Sequence, residues 1–251
     1  MRTMPQPFHA DQALRRTFSV LSERFPTFIG LVILVQSPLV VLRLVNAFAP
    51  AASPRAAAFT ALAQLVGEFV MGAFASAAVV YGVFQTLRGA PASFGECLRQ
   101  GMRSLFAVLG VSFAVGLAIG GCLLISVLLP IFVVVFVPVA LVLWIQLYVA
   151  VPAAVMERLG VSFSLSRSQE LTLGRRAHIF AVVFFVVLAF GIPGFALGYI
   201  LSEHAQLLEI ASIILSVLAA TFAAVATSVV YHDLRVDKDG MATEDLAAVF
   251  D

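Results

Sequence analysis

Glu68 is the one charged residue in the apolar stretch from Ala58 to Leu87. A carboxylate held inside such a stretch costs about 2.5–3.5 kcal/mol on membrane-insertion scales, so it is as a rule functional or paired. Gln64, four residues earlier, shares its helical face. Gln36 and Ser37, just ahead of Pro38, fall at a similar point of the preceding apolar stretch, and Arg43 stands close enough to reach down as a counter-ion. Gln36, Gln64, Glu68 and Arg43 therefore form a candidate polar site, suited to a proton, a small substrate or a headgroup. The same side chains also suit a hydrogen-bonded cluster that pins two helices together.

Other chemistry is thinner. His178 and His232 fall near one end of the apolar stretches, with Glu157 and Asp233 in range, and two histidines with two carboxylates can bind zinc. Their spacing matches no ligand motif, so no metal or cofactor is expected. Gly110-Val111-Ser112-Phe113-Ala114 lacks the second glycine of a nucleophile elbow. Asp237-Lys238-Asp239-Gly240 fails as a calcium loop, with Arg235 and Leu246 at its first and last positions. It reads as a turn before a short helix capped at Thr243. Cys97 and Cys122 on one helix would stand roughly 37 Å apart, too far for a disulfide. No catalytic constellation emerges, and the expectation is a protein that is not an enzyme.

The elements that position these residues follow from composition. The chain has 251 residues, of which 61% are hydrophobic and 12% charged, against about 45–50% and 25% in soluble domains. Mean hydropathy is +1.05. So little polar surface cannot cover a globule of this size, and the apolar residues must face lipid. Net charge is +1, which gives no general attraction to nucleic acid.

A membrane helix needs about 20 apolar residues. The runs between charges supply six spans, at about 25–45, 58–87, 104–128, 131–153, 178–201 and 207–231. The 53 residues from Ser104 to Met156 carry no charge, and as one helix they would reach roughly 80 Å, so they must fold back at Pro130. Each span must be helical, because an open strand in lipid leaves backbone groups unpaired. The first run starts too late and is too long for a cleavable signal, although Ala47-Phe48-Ala49 mimics a cleavage site. Trp144 and the stripe Ser112, Gly116, Gly120 are expected to pack against neighbouring helices.

Arg and Lys partition sharply across this threading. Thirteen lie in the N-terminal segment, the 88–103 and 154–177 connections and the C-terminal tail, and the other side has only Arg43 and Arg55. By the positive-inside rule both termini are cytoplasmic. The expected layout is a cytoplasmic segment 1–24, a six-helix domain 25–232 and a cytoplasmic tail 233–251. Short amphipathic segments precede each odd-numbered span. Ala10, Leu14, Phe18, Leu21 and Phe25 form one stripe. Ser93-Phe94-Gly95-Glu96, after Pro91, reads as a capping box. A third segment holds Phe163, Leu165, Leu171 and Leu173. The fold class is therefore all-α: a polytopic bundle of three transmembrane hairpins with short cytoplasmic amphipathic helices lying in the headgroup layer. Arg15, Arg16, Arg99, Arg103, Arg167, Arg175 and Arg176 on those segments are candidate contacts for anionic lipid or a partner protein.

Two segments resemble a known family. Val151-Pro152-Ala153, Glu157 and Ser164-Leu165-Ser166-Arg167-Ser168 through Leu171-Thr172-Leu173-Gly174 are similar to a run in the membrane domain of bacterial and archaeal glycerophosphoryl diester phosphodiesterases. Tyr231-His232-Asp233-Leu234-Arg235 resembles that family's tail motif, and Leu87-Arg88-Gly89 its turn after the second span. Members with full activity carry a soluble catalytic barrel after the membrane part. The sequence stops at Asp251, about 20 residues past the sixth span, so the barrel's hydrolase activity is not carried over; the expected location is the bacterial inner membrane. The resulting expectation is a membrane protein that organises lipid or partner proteins at the cytoplasmic face, as a monomer or a homo-oligomer. The alternatives are a transporter or channel component with Glu68 in its pathway, and a lipid-headgroup enzyme or its membrane subunit.

Overall fold

The computed structural model describes residues 9–49, 53–90, 93–158 and 160–239. Pro91, Gly240 and Thr243, and with them the turn and short helix read in the tail, lie outside the described residues. Nine α-helices are described and no strand: α1 Ala10–Glu23, α2 Phe25–Phe48, α3 Pro54–Leu87, α4 Phe94–Leu128, α5 Val133–Gln146, α6 Ala150–Glu157, α7 Val161–Thr172, α8 Arg176–Ile200 and α9 Ala205–Asp239. With α5 and α6 taken as one interrupted crossing, six helices are long and apolar enough to span a membrane. They pack as a bundle.

Burial ranks the helices. In α9, 56% of the most apolar window is buried, against 11% in α4, so α9 is central and α4 peripheral. The core lies where α2, α3 and α9 meet, with Phe28, Leu31, Val79, Val83, Val225 and Val229 buried together. Phe106, Phe113, Leu117, Val127, Val134, Phe195 and Tyr199 are exposed on the outside. An apolar surface of that kind on a soluble monomer would drive association; around a membrane bundle it faces lipid.

Helix ends follow local chemistry. Ser53 caps α3 by accepting from the Ala56 N–H at 3.2 Å, with Pro54 in the first turn. At the other end Gly89, at φ +70, takes the left-handed conformation that stops the helix. Its N–H bonds to Thr86 O and that of Ala90 to Gln85 O, which satisfies two terminal carbonyls. Pro26 separates α1 from α2, and the turn at Gly174 separates α7 from α8.

Between Phe94 and Leu128 no proline intervenes, and the segment expected as a separate amphipathic helix is the first part of α4. Ser93 makes no side-chain cap bond, so the capping box does not form. The threefold repeat of short helix plus hairpin is thus interrupted in its middle unit. Helix α9 likewise runs through the expected boundary at residue 233 to Asp239. At 35 residues each, α4 and α9 are about 52 Å long, so both project well beyond a hydrocarbon core of about 30 Å.

The short helices bury only part of their apolar stripes. In α1 the buried line is Ala13, Thr17 and Val20, one step round from the expected stripe. Phe18 lies edge-on to Phe185 of α8 and beside Phe222 of α9. Both partners sit well inside apolar helices, so α1 leans on the bundle wall instead of lying apart in the headgroup layer. In α7 the buried residues are Ser164, Ser168, Leu171 and Thr172, while Phe163 and Leu173 are exposed.

The reason for the hydroxyl face of α7 lies in the fourth span. Pro152 has no N–H for the carbonyl four residues back, at Tyr148, and its ring crowds that carbonyl. The helix breaks over Leu147–Val149, and the Ala150 N–H turns to Leu147 O. The Gln146 carbonyl, thereby released, accepts from Ser168 Oγ at 2.8 Å and Thr172 Oγ1 at 3.4 Å. An interrupted membrane helix persists only where its freed groups are paired in this way.

Close helix approach falls at other glycines than those of the expected stripe. A Cβ at Gly116 or Gly120 would meet nothing within 4 Å, whereas one at Gly101 would stand 3.0 Å from the Phe74 ring and 3.1 Å from the Ala78 backbone nitrogen. Trp144 is 41% exposed and does not pack inward. Gly101→Leu is therefore expected to destabilise the bundle by about 1–3 kcal/mol through overpacking. Gly116→Leu on the same helix is expected to leave it near wild type. Thermal unfolding of both variants in detergent, followed by circular dichroism, checks the contrast.

Candidate functional site

At one end of the bundle, side chains from five helices meet around the last two turns of α9. Tyr231 is fully buried, and its hydroxyl donates to Glu157 Oε1 at 2.5 Å, joining α9 to the end of α6. Arg167 of α7 donates to the same Glu157 oxygen at 3.3 Å, to Glu170 Oε2 at 3.1 Å and to Asp239 Oδ2 at 2.5 Å. Burial works against the Arg167 charge, but its bonds to Glu170, Glu157 and Asp239 outweigh that and hold the guanidinium above its ordinary range. Arg175, just before α8, makes a two-pronged contact with Asp237 at 2.8 and 3.1 Å. Arg16 of α1 pairs with Asp233, which also lies 3.2 Å from His232 Nδ1. Arg235 Nε stands 3.6 Å from Asp239.

These pairs bring the N-terminal segment, the 154–177 connection and the end of α9 to the same end of the molecule. The 88–103 connection joins them there, because Arg103 of α4 and Arg158, just after α6, line one cavity. The basic segments read from the sequence are thus spatial neighbours.

The seven arginines singled out on those segments fall into two sets. Arg16, Arg167 and Arg175 are tied to carboxylates as above. Arg15, Arg99 and Arg103 are exposed and carry no ion pair among the described residues. Arg176 has a buried Nε without a hydrogen-bond partner in the described structure.

The four residues proposed as an intramembrane site are divided. Arg43 donates from Nε to Glu209 Oε1 at 2.6 Å and from a terminal nitrogen to Ser212 Oγ at 3.0 Å. Its counter-ion is therefore Glu209 of α9, not Glu68, because α2 lies along α9. Gln64 shares a cavity with Arg43, Asn46 and Glu209 and donates to Glu68 at 3.2 Å. Glu68 itself is exposed on the surface of α3. Gln36 lines a separate cavity of about 280 Å³ with Ser76, Tyr148 and Thr227, where the break in the fourth span faces α3 and α9.

The His178 ring meets that of His9 edge-on at 5.5 Å. No group of three or more His, Cys, Asp or Glu residues placed to hold a metal occurs among the described residues. Cys97 and Cys122 are both free thiols on α4.

Tyr231, Asp237, Asp239, Ser168 and Thr172 were not singled out as site residues. An acidic run at the end of a long helix, facing basic segments of equal depth, was the available signal. Glu157, Arg167, Ser168, Thr172, Tyr231 and Asp233 all take part in this network or in the seal on the fourth span. No known family model, curated protein or solved structure matches the chain.

Tyr231→Phe is expected to lower stability by about 1.5–3 kcal/mol, the usual range for a buried hydrogen bond to a charged group. The same change in a Glu157→Gln background is expected to cost clearly less. A double-mutant cycle from thermal unfolding in detergent measures the coupling.

Proposed function

We propose that the protein is a non-enzymatic, multi-pass component of the bacterial inner membrane that orders anionic lipid at its cytoplasmic face, with both ends in the cytoplasm. The observation that carries this reading is the division of arginines at one end of the bundle. One set is neutralised and locks α1, α6, α7, α8 and α9 together. The other set, Arg15, Arg88, Arg99, Arg103 and Arg158, is exposed and without ion pairs among the described residues. Each such cation near an anionic surface contributes about 1 kcal/mol of attraction. A rigid end with its free cations pointing outward is suited to hold headgroups in place.

The clustered Tyr, His, Asp and Arg side chains of the network are the arrangement a headgroup enzyme would need. Their charges are engaged with one another, however, and this favours a structural role for them. Glu68 is exposed on α3 and lines neither the Gln36 cavity nor the Arg43 cavity, which favours lipid ordering over a transport pathway. The resemblance of segments 151–174 and 231–235 to the phosphodiesterase membrane domain is in keeping with an association with phospholipid.

Protein extracted in copolymer nanodiscs is expected to retain phosphatidylglycerol at a higher share than the bulk membrane. Replacing Arg15, Arg88 and Arg99 together with Gln is expected to reduce that enrichment, and the wild-type enrichment is expected to weaken as salt rises. Lipid mass spectrometry of the discs reads both. An annulus identical to the bulk membrane for wild type and variant alike would refute the proposal. Glu68→Gln is expected to leave abundance and lipid content unchanged.

A further inference from the structure

The cavity between α4 and α6 at the basic end has a volume of about 410 Å³ and is lined by Gln100, Arg103, Ser104, Ala107, Ala154 and Arg158. Its floor is small and apolar, formed by Ala107 and the buried Ala154. Its rim carries two guanidinium groups. Neither has a carboxylate partner among the described residues, although Glu157 is the immediate neighbour of Arg158. Glu157 is held on the other side by Tyr231 and Arg167, so it does not neutralise the rim. Ser104 Oγ is directed back to Gln100 O at 2.9 Å.

Arg158 also departs from ordinary backbone geometry. At φ 52 it is the one non-glycine residue with positive φ among the described residues. A side chain in that region costs on the order of 1–2 kcal/mol, and glycine or asparagine is the usual choice. An arginine is nevertheless found there, at the mouth of the cavity.

Resting on the lipid-ordering reading above, we propose that this cavity is a binding site for a phosphate group, held between the guanidinium groups of Arg103 and Arg158 with the Gln100 amide beside them. Guanidinium groups bind phosphate oxygens in pairs of parallel hydrogen bonds, which a lysine cannot reproduce. The apolar floor sets the depth of the phosphate. Below the rim the exposed apolar surface of α4 continues through Phe106, Phe113 and Leu117, a path for the acyl chain of a phospholipid. A glycerophospholipid headgroup is thus the source this surface suits, and free phosphate shares the same recognition chemistry.

The test uses the full chain in detergent, with thermal protection and native mass spectrometry against phosphatidylglycerol, phosphatidylcholine and inorganic phosphate. Phosphatidylglycerol is expected to protect the wild type. The double variant Arg103→Gln with Arg158→Asn is expected to bind it at least tenfold more weakly, asparagine being tolerated at positive φ. Ala107→Phe fills the floor without removing charge and is expected to have the same effect; it decides the matter if the double variant does not fold. Arg55→Gln, at the opposite end, is expected to bind as wild type. Protection by inorganic phosphate without phosphatidylglycerol, lost in the same variants, supports the site and assigns it to the free anion. Undiminished phosphatidylglycerol binding by folded Ala107→Phe and by the double variant overturns the site while leaving the broader reading intact. A wild type that binds neither phosphatidylglycerol in preference to phosphatidylcholine nor phosphate overturns both.

Discussion

The carboxylate of Glu157 is a junction between three separated parts of the chain. It closes α6, accepts from the buried Tyr231 hydroxyl of α9 and receives Arg167 of α7. Its side chain is only partly exposed, and these donors fill lone pairs that water does not reach. Filling them requires α9 to extend past the apolar slab and α7 to lie across its end. Asp237 and Asp239, about two turns beyond Tyr231 along α9, then meet Arg175 and Arg167. The order of helices at this end is therefore tied to one acid, and the apolar contacts deeper in the bundle are compatible with it.

The break in the fourth span depends on the same helix from the other side. Pro152 releases the Gln146 carbonyl, and lipid offers it no donor. Ser168 supplies one, and Thr172 shares its single proton between Gln146 O and the Gln169 carbonyl of its own helix. Helix α7 thus satisfies Glu157 with Arg167 and Gln146 with its hydroxyl face, through residues close together in sequence. This explains why its inward side is polar. An apolar inward face would leave a carbonyl unpaired at membrane depth, which costs more than the burial of two methyl groups gains.

The six long apolar helices were legible because they depend on long-range averages: runs of about 20 apolar residues between charges. Pro130 as the turn between the third and fourth spans was legible for a local reason, the lack of a donor. The faces of α1 and α7 were not. Periodicity reports which residues avoid water, and beside lipid that no longer distinguishes buried from exposed. Phe163 and Leu173 face outward because lipid accepts them as readily as the core does, while Ser168 turns inward to the Gln146 carbonyl. The partner of Arg43 was hidden for a related reason. Sequence proximity suggested the next helix and Glu68, but the counter-ion came from α9, 166 residues away. The middle short helix was misread as separate: α4 does begin at Phe94, after Ser93, but Ser93 makes no side-chain cap bond and the helix runs unbroken into the third span.

The choice of arginine over lysine gains a partial physical account from these contacts. Arg167 reaches Glu157, Glu170 and Asp239 through three different nitrogens, and Arg175 grips Asp237 with two. A planar fork does this in one rotamer, whereas an ammonium would have to share a single point among acids on three elements. The consequence reaches the membrane surface. Counting basic residues treats every cation at this end as part of one field, but Arg16, Arg167, Arg175 and Arg235 are each matched by a nearby carboxylate. Their contribution at a distance is cancelled within the network. The potential outside this end of the bundle comes from the unmatched arginines, and these include the pair at the mouth of the α4–α6 cavity. Neutralising one set within the fold is what gives the remaining charge a definite place on the surface.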